Sequence, residues 1–259
     1  MSAVLFDVKD NIATITLNRP EAYNSVNTAL AHGLIDALQQ CKDDDTIRAI
    51  VLTGSGKAFC AGQDLKEVTT PELNPGFDTL MKDHYEPIVH LLRGIEKPII
   101  AKVNGVAAGA GANFALACDI IVAVEHAVFI QAFSAIGLIP DSGGTYTLPR
   151  AVGMAKATAL AMLGDKVSAE EAERIGMIYK YFSADTFENE VQAIAKKLAN
   201  MPTKGLGLTK LALNQSLKNS FDQQMLLETD LQLKAASTED YNEGVAAFVE
   251  KRKPAFKGK

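Results

Sequence analysis

Two glycine-bearing segments are built to offer main-chain N–H groups to a ligand. The first, Lys57-Ala58-Phe59-Cys60-Ala61-Gly62-Gln63-Asp64-Leu65-Lys66, follows a buried apolar run and lies in a turn. Small residues there let a ligand approach the backbone, although an ordinary loop with a permissive glycine reads equally well. The second, Asn104-Gly105-Val106-Ala107-Ala108-Gly109-Ala110-Gly111-Ala112-Asn113, follows a strand pattern and opens a helical one. The first N–H groups of a helix have no intrahelical partner and favour developing negative charge. A dinucleotide-binding turn is the competing idea, but this GxG is followed by Ala112, Asn113 and Phe114 and lies far from the N-terminal strand, so the motif alone is poor support. Asp141, in Ile139-Pro140-Asp141-Ser142-Gly143-Gly144, reads from its neighbours as a helix cap.

Other reactive side chains give weaker signals. Cys41, Cys60 and Cys118 are odd in number and sit in largely apolar surroundings, which suits small core residues in a reducing compartment rather than a disulfide framework. His32, His84, His90 and His126 show no metal-ligand spacing, so no metal is expected. With 31 acidic against 26 basic residues, the net charge of −5 argues against a nucleic-acid partner. A local cluster of lysines can still hold phosphates. No apolar run reaches the ~18 to 20 residues of a membrane span, and Met1 to Lys9 lacks a basic-then-apolar leader, so a soluble, cytoplasmic protein is expected.

The elements that must position the loops follow from periodicity. Val4–Val8 and Ile12–Leu17 flank Asp10-Asn11 as a hairpin. Asn27 caps a helix carrying Leu30, Leu34, Ile35 and Leu38, and Ala49–Leu52 follows as a buried strand. Thr53 to Asp64 reads as a loop, Asp78 to Gly94 as a helix and Pro98–Val103 as a strand. The glycine-rich turn, a helix through Ala117 and the strand Ile120–Val124 complete the pattern. Strands alternating with helices indicate an α/β layered fold with ligands at strand ends. From Ala184 onward only helical patterns remain, among them Phe187–Ala199, Leu206–Ser216 and a last one capped near Ser237 or Thr238. This divides the chain into an α/β core, 1–183, and a helical C-terminal subdomain, 184–259.

KAFCAGQDLK, then NGVAAGAGANFALACD, then IGLIPDSGGTYTLPR together resemble the enoyl-CoA hydratase/isomerase, or crotonase, family. The resemblance runs from ITLNRP, Ile15 to Pro20, to AFVEKRK, Ala247 to Lys253, with every segment in the family's order. It implies a crotonase-type spiral of repeated ββα units with a helical C-terminal trimerisation subdomain. It also implies an acyl-CoA substrate, coenzyme A being part of that substrate with no tightly bound cofactor, and assembly as a homotrimer or homohexamer.

Carried over position by position, the resemblance gives one oxyanion-hole N–H to Gln63 and the second to Ala110. One such donor is worth roughly 2.7–4 kcal/mol to a developing oxyanion, enough for two to ease removal of an α-proton. Family members that hydrate enoyl double bonds carry two glutamates over the acyl chain; here those positions are Asn113 and Phe133, and neither side chain exchanges protons at neutral pH. Asp141 stands where isomerase-type members place an aspartate, and burial against Phe133 would raise its pKa toward the working range. The PDSGGT segment and AAGAGA glycine loop resemble those of the 1,2-epoxyphenylacetyl-CoA isomerases of phenylacetate degradation. That group converts a ring epoxide to an oxepin thioester and moves double bonds in unsaturated acyl-CoA esters.

The resemblance further implies that the Ala61 carbonyl accepts from the adenine amine, that Lys66 lies near the coenzyme A phosphates, and that Phe248 and Lys251 reach a neighbouring subunit's coenzyme A. From their residue types alone, Lys66 and Lys251 are solvated lysines and Phe248 a helix-face core residue. Asp64 and Asp119 are assigned to loop and turn hydrogen bonds; His84, Tyr85 and His90 lie on the Asp78 to Gly94 helix, where the family has the outer wall of its substrate pocket, and from their type the histidines read as surface or partly packed residues. Hydration, thioester hydrolysis through Asp141 and non-catalytic acyl-CoA binding are the competing functions.

Overall fold

The computed structural model describes residues 2–259 and opens on an antiparallel hairpin, β1 (Val4–Lys9) and β2 (Ile12–Leu17). Asp10 and Asn11 turn it with φ of 53° and 62°. Positive φ at both turn residues matches the right-handed strand twist, and Asp and Asn tolerate it better than other side chains. Helix α1 (Thr28–Asp43) begins where expected, the Asn27 side chain accepting from the Leu30 N–H at 3.0 Å. Its Leu30, Leu34 and Leu38 are fully buried.

A unit then recurs: a strand enters a large sheet, a three-residue strand enters a second sheet, and a helix follows. The first unit is β3 (Ala49–Gly54), β4 (Ala58–Cys60) and α2 (Leu65–Thr69). Helical turns α3 (Phe77–Thr79) and α4 (Glu86–Gly94), joined by a π-helical segment Leu80–Tyr85, connect it to the second. The second unit is β5 (Ile99–Val103), β6 (Val106–Ala108) and α5 (Ala110–Ala117). The third is β7 (Ile120–Val124), β8 (Val128–Ile130) and α6 (Gly144–Val152), followed by α7 (Met154–Leu163). β9 (Lys166–Ser168), α8 (Ala169–Arg174) and β10 (Lys180–Phe182) close both sheets. Their orders are β1-β2-β3-β5-β7-β10 and β4-β6-β8-β9, parallel apart from the β1–β2 and β8–β9 pairs. This is the expected α/β spiral of ββα units. All six residues of β3 are buried, as in a parallel strand covered on both faces.

Two departures from the sequence reading concern short elements. The segment expected to be a loop, Thr53 to Asp64, contains β4, and the glycine-rich turn contains β6; β8, β9 and β10 were likewise not anticipated. Three residues are too few to display alternation, and the alanines of Val106–Ala108 carry no β preference. The helix expected over Asp78 to Gly94 is present but changes to i→i+5 bonding at Leu80–Tyr85.

Beyond β10 every element among the described residues is a helix: α9 (Ala184–Ala199), α10 (Thr203–Ser216), α11 (Phe221–Ala236) and α12 (Glu239–Val249). Thr238 caps the last, accepting from the Tyr241 N–H at 3.0 Å. Helix α9 packs on β3, β7 and β10, burying Phe187, Val191 and Ala195, so it covers the large sheet while α10 to α12 extend beyond it. Among the described residues, no helix is long and apolar enough to cross a membrane. Cys41, Cys60 and Cys118 are free and buried, and burial pushes the Cys41 and Cys60 thiols up to about 12.

Candidate active site

The two glycine loops meet because β4 and β6 are neighbours in the small sheet, which sets Ala61–Gln63 beside Gly109–Ala110. Two glycines make that approach possible. Gly62 sits at φ 89°, and a Cβ there would lie 3.0 Å from the Ala108 carbonyl oxygen and 3.5 Å from the Ala110 nitrogen. A Cβ on Gly111 would lie 2.2 Å from the Cys60 carbonyl oxygen, so α5 could not rest against β4 with any side chain there. Below the loops is a cavity of ≈ 230 Å³ whose walls include Gln63, Tyr85, Ala110, Phe133 and Asp141.

The Gln63 and Ala110 N–H groups make no hydrogen bond to another described residue. Their peptides are nonetheless fixed. Val26 N–H donates to the Gly62 carbonyl at 2.7 Å and Asp64 N–H to the Val26 carbonyl at 2.8 Å, clamping Gln63 from both sides. Ala110 is the first residue of α5, where an N–H has no carbonyl four residues back within the helix. Two immobilised donors at one cavity wall can stabilise negative charge growing on a carbonyl oxygen.

Asp141 is presented by a turn that the residue types alone do not specify. Gly144 N–H donates to the Asp141 carbonyl at 2.8 Å across Ser142 and Gly143, at φ 51° and 76°. Holding serine in the left-handed region costs about 1 kcal/mol or more, and such strain gathers at functional sites. The Asp141 carbonyl also accepts from the Asn113 side-chain amide at 2.8 Å, and Gln131 Nε2 donates to Asn113 Oδ1 at 2.9 Å. Asn113 is fully buried; it braces the turn from beneath rather than facing the cavity. The carboxylate accepts from Ser142 Oγ at 2.9 Å. It does not cap α6, whose N-cap is Gly143 without a side-chain bond. Burial is the dominant influence and raises the Asp141 pKa to about 6, the Ser142 hydroxyl opposing it.

Other side chains divide between cavity and surface. Ala61 lines the cavity, and its carbonyl accepts no hydrogen bond from a described residue. Lys66 is exposed on α2 just beyond the loop. Phe248, 85% exposed on α12, and Lys251 are also on the surface, and Phe248 borders a different hollow. Within one chain they do not reach the Asp141 cavity, and Phe248 is not the core residue its type suggested. Asp64 caps α2 and pairs with Arg19 at 2.7 Å; Asp119 accepts from the Ile99 N–H at 2.8 Å and Lys210 Nζ at 2.9 Å. Both do the structural work expected of them. His90 is exposed, while His84 is buried edge-to-face against His32, ring centroids 5.2 Å apart, and is not a cavity wall.

Tyr85 and Glu67 carry more than their sequence positions suggested. The Tyr85 hydroxyl donates to Gln63 Oε1. Gln63 Nε2 donates to Glu67 Oε2 at 3.2 Å, and buried Glu67 accepts from the Thr28 N–H at 2.8 Å and hydroxyl at 2.9 Å. Burial, with the charges of Asp141, Cys60 and Glu67 adding, pushes the Tyr85 phenol well above its ordinary range, so it stays protonated.

Paired backbone donors, a buried carboxylate and a ββα spiral define an enzyme class, and the match to known proteins agrees. The enoyl-CoA hydratase/isomerase family model matches residues 7–259, so the chain belongs to this crotonase family, whose members act on acyl-CoA thioesters. It is 47% identical to 1,2-epoxyphenylacetyl-CoA isomerase of Escherichia coli K12, with both chains covered in full. It is 43% identical to a probable enoyl-CoA hydratase of Rhodobacter capsulatus, over 99% of this chain and 98% of the relative. Among solved structures, a putative enoyl-CoA hydratase/isomerase from Mycobacterium abscessus superposes with a TM-score of 0.92 at 32% identity. That match covers 99% of this chain and all of the other.

Proposed function

We propose that this protein is an acyl-CoA isomerase in which Asp141 moves a proton between carbons of a thioester enolate held by the Gln63 and Ala110 N–H groups. The observation that carries the reading is the cavity's supply of acids: among the described residues Asp141 is the one carboxylate in its walls, and the positions of the hydratase glutamates hold the buried Asn113 and the phenyl ring of Phe133. In a 3-enoyl thioester the Asp141 carboxylate takes a proton from the α-carbon. The electron pair spreads onto the carbonyl oxygen and the two N–H donors hold that charge. The same carboxyl group returns the proton at the γ-carbon, leaving the double bond conjugated with the thioester. In a ring-epoxide thioester of the kind named for the Escherichia coli relative, the carboxylate takes a proton from the side-chain α-carbon and returns it to a ring carbon, while the C–C bond shared by the epoxide and the six-membered ring breaks to give the seven-membered oxepin.

Coenzyme A enters as part of the substrate, with the Ala61 carbonyl toward the adenine amine and Lys66 toward the phosphates. Phe248 and Lys251 act from a neighbouring copy in a homotrimer or homohexamer. Their exposure in the single chain supports that assignment. Hydration is the second reading, favoured by the name of the Rhodobacter capsulatus relative. Purified protein is to be offered ring-epoxide, 3-enoyl and 2-enoyl CoA esters, with products followed by chromatography and mass spectrometry. Isomerisation shifts retention without changing mass, whereas rapid addition of the mass of water to crotonyl-CoA would replace this reading with hydration.

A further inference from the structure

Tyr85 touches the Gln63 half of the donor pair and the helix that carries the other half. Its hydroxyl reaches the side chain of Gln63 on the first loop. Its ring packs edge-to-face on Phe114, centroids 5.9 Å apart, one turn along α5 from Ala110. The π-helical segment makes this placement possible. Leu80 and Tyr85, five residues apart, would lie on different faces of an α-helix, yet both are buried at the cavity wall. The wider i→i+5 turn turns them the same way, and such turns concentrate at functional sites.

Gln63 in turn is the middle of a chain of bonds from Tyr85 through Glu67 to Thr28, the first residue of α1. The Val26 bridge fixes the Gln63 peptide at its edges, and the side chain lies on the cavity wall. Losing the phenol hydroxyl leaves the Gln63 amide oxygen without its donor, and the Val26 bridge alone then restrains the peptide that carries the N–H.

Resting on the isomerase reading, we propose that Tyr85 is a positioning residue for the oxyanion hole, acting through the Gln63 side chain to hold the Gln63 N–H on the enolate oxygen. The bond serves the transition state, in which the oxygen carries its charge, and contributes little to holding the neutral thioester. Such an interaction is felt in kcat and not in KM.

The test is a two-residue cycle on double-bond migration in a 3-enoyl-CoA ester. Tyr85→Phe keeps the ring and its contact with Phe114 and is expected to lower kcat about tenfold with KM changed less than about twofold. Gln63→Leu keeps the backbone N–H and loses the side-chain bonds, and should give a similar loss. Combined with Gln63→Leu, Tyr85→Phe should cost less than about twofold more, as for two residues acting through one interaction. Thermal denaturation of each variant shows that the protein compared is folded. An unimpaired kcat in Tyr85→Phe, a rise in KM alone, or losses that multiply in the double variant would overturn the proposal. Asp141→Asn run alongside separates the two claims. A full rate there overturns the isomerase reading, and an inactive Asp141→Asn beside an unimpaired Tyr85→Phe overturns only the positioning role.

Discussion

At the scale of residues, the behaviour of the site turns on burying one carboxylate without giving it a cation. Burial raises the Asp141 pKa to about 6, and the fraction ionised, which is the fraction able to act as base, falls below that pH. The rate at low substrate concentration is therefore expected to drop as pH falls through about 6, which initial rates across pH 5 to 8 would record. The same shift has a cost for folding. Between the ordinary carboxylate range and about 6 the folded state holds more protons than the unfolded one, so this group's contribution to stability declines as pH rises through that window. Asp141→Asn removes the penalty. It should be inactive yet more stable than the parent at pH 7.5, by on the order of 1 kcal/mol after discounting for partial solvent screening, as read by thermal denaturation. The sequence makes Asp141, Gln63 and Ala110 legible because they sit inside contiguous motifs. Tyr85 and Glu67 are different: their partners lie 22 and 4 or more residues away, and nothing in a tyrosine amid Asp-His-Tyr-Glu announces a bond to Gln63.

At the scale of elements, the site depends on how closely α5 and the Asp141 turn are held. Gly111→Ala drives a methyl group against the Cys60 carbonyl and must lift α5 from β4. A loss of roughly 1–3 kcal/mol in stability is expected, together with a fall in kcat as Ala110 is displaced, measurable by chemical denaturation and steady-state kinetics. Asn113→Ala strips the Asp141 carbonyl of its side-chain donor and leaves the buried Gln131 amide unpaired. It should cost about 1–3 kcal/mol and lower activity without touching the carboxylate itself. The position that carries a catalytic acid in hydratases thus serves here as a brace, a role visible only once residues 113, 131 and 141 are brought together. The hairpin, α1 and the long parallel strands were readable from alternation, capping and turn chemistry. The small sheet was not, because β4, β6 and β8 draw their order from one another and from the helices that follow, not from their own three residues.

At the scale of the whole molecule, the core is shared by both sheets and reaches into α9, while the last helices present apolar surface. Leu213, Phe221, Leu226 and Leu233 on α10 and α11 are all at least 65% exposed in the single chain. Leu213 and Leu233 border one hollow between α10 and α11, and exposed apolar side chains gathered in this way suit a protein–protein contact, which supports the proposed trimer or hexamer. Light scattering of the purified protein should return a mass three or six times that of the chain, and a charge at Phe221 should lower it. The central claim, however, is the enolate made by Asp141 beside the paired N–H donors. Its most direct test is proton NMR of a 3-enoyl-CoA ester incubated with enzyme in deuterated water. The parent protein should shift the double bond into conjugation and exchange the α-protons for deuterium, while Asp141→Asn, folded and able to bind coenzyme A, should do neither. Undiminished migration or exchange by Asp141→Asn would contradict the account.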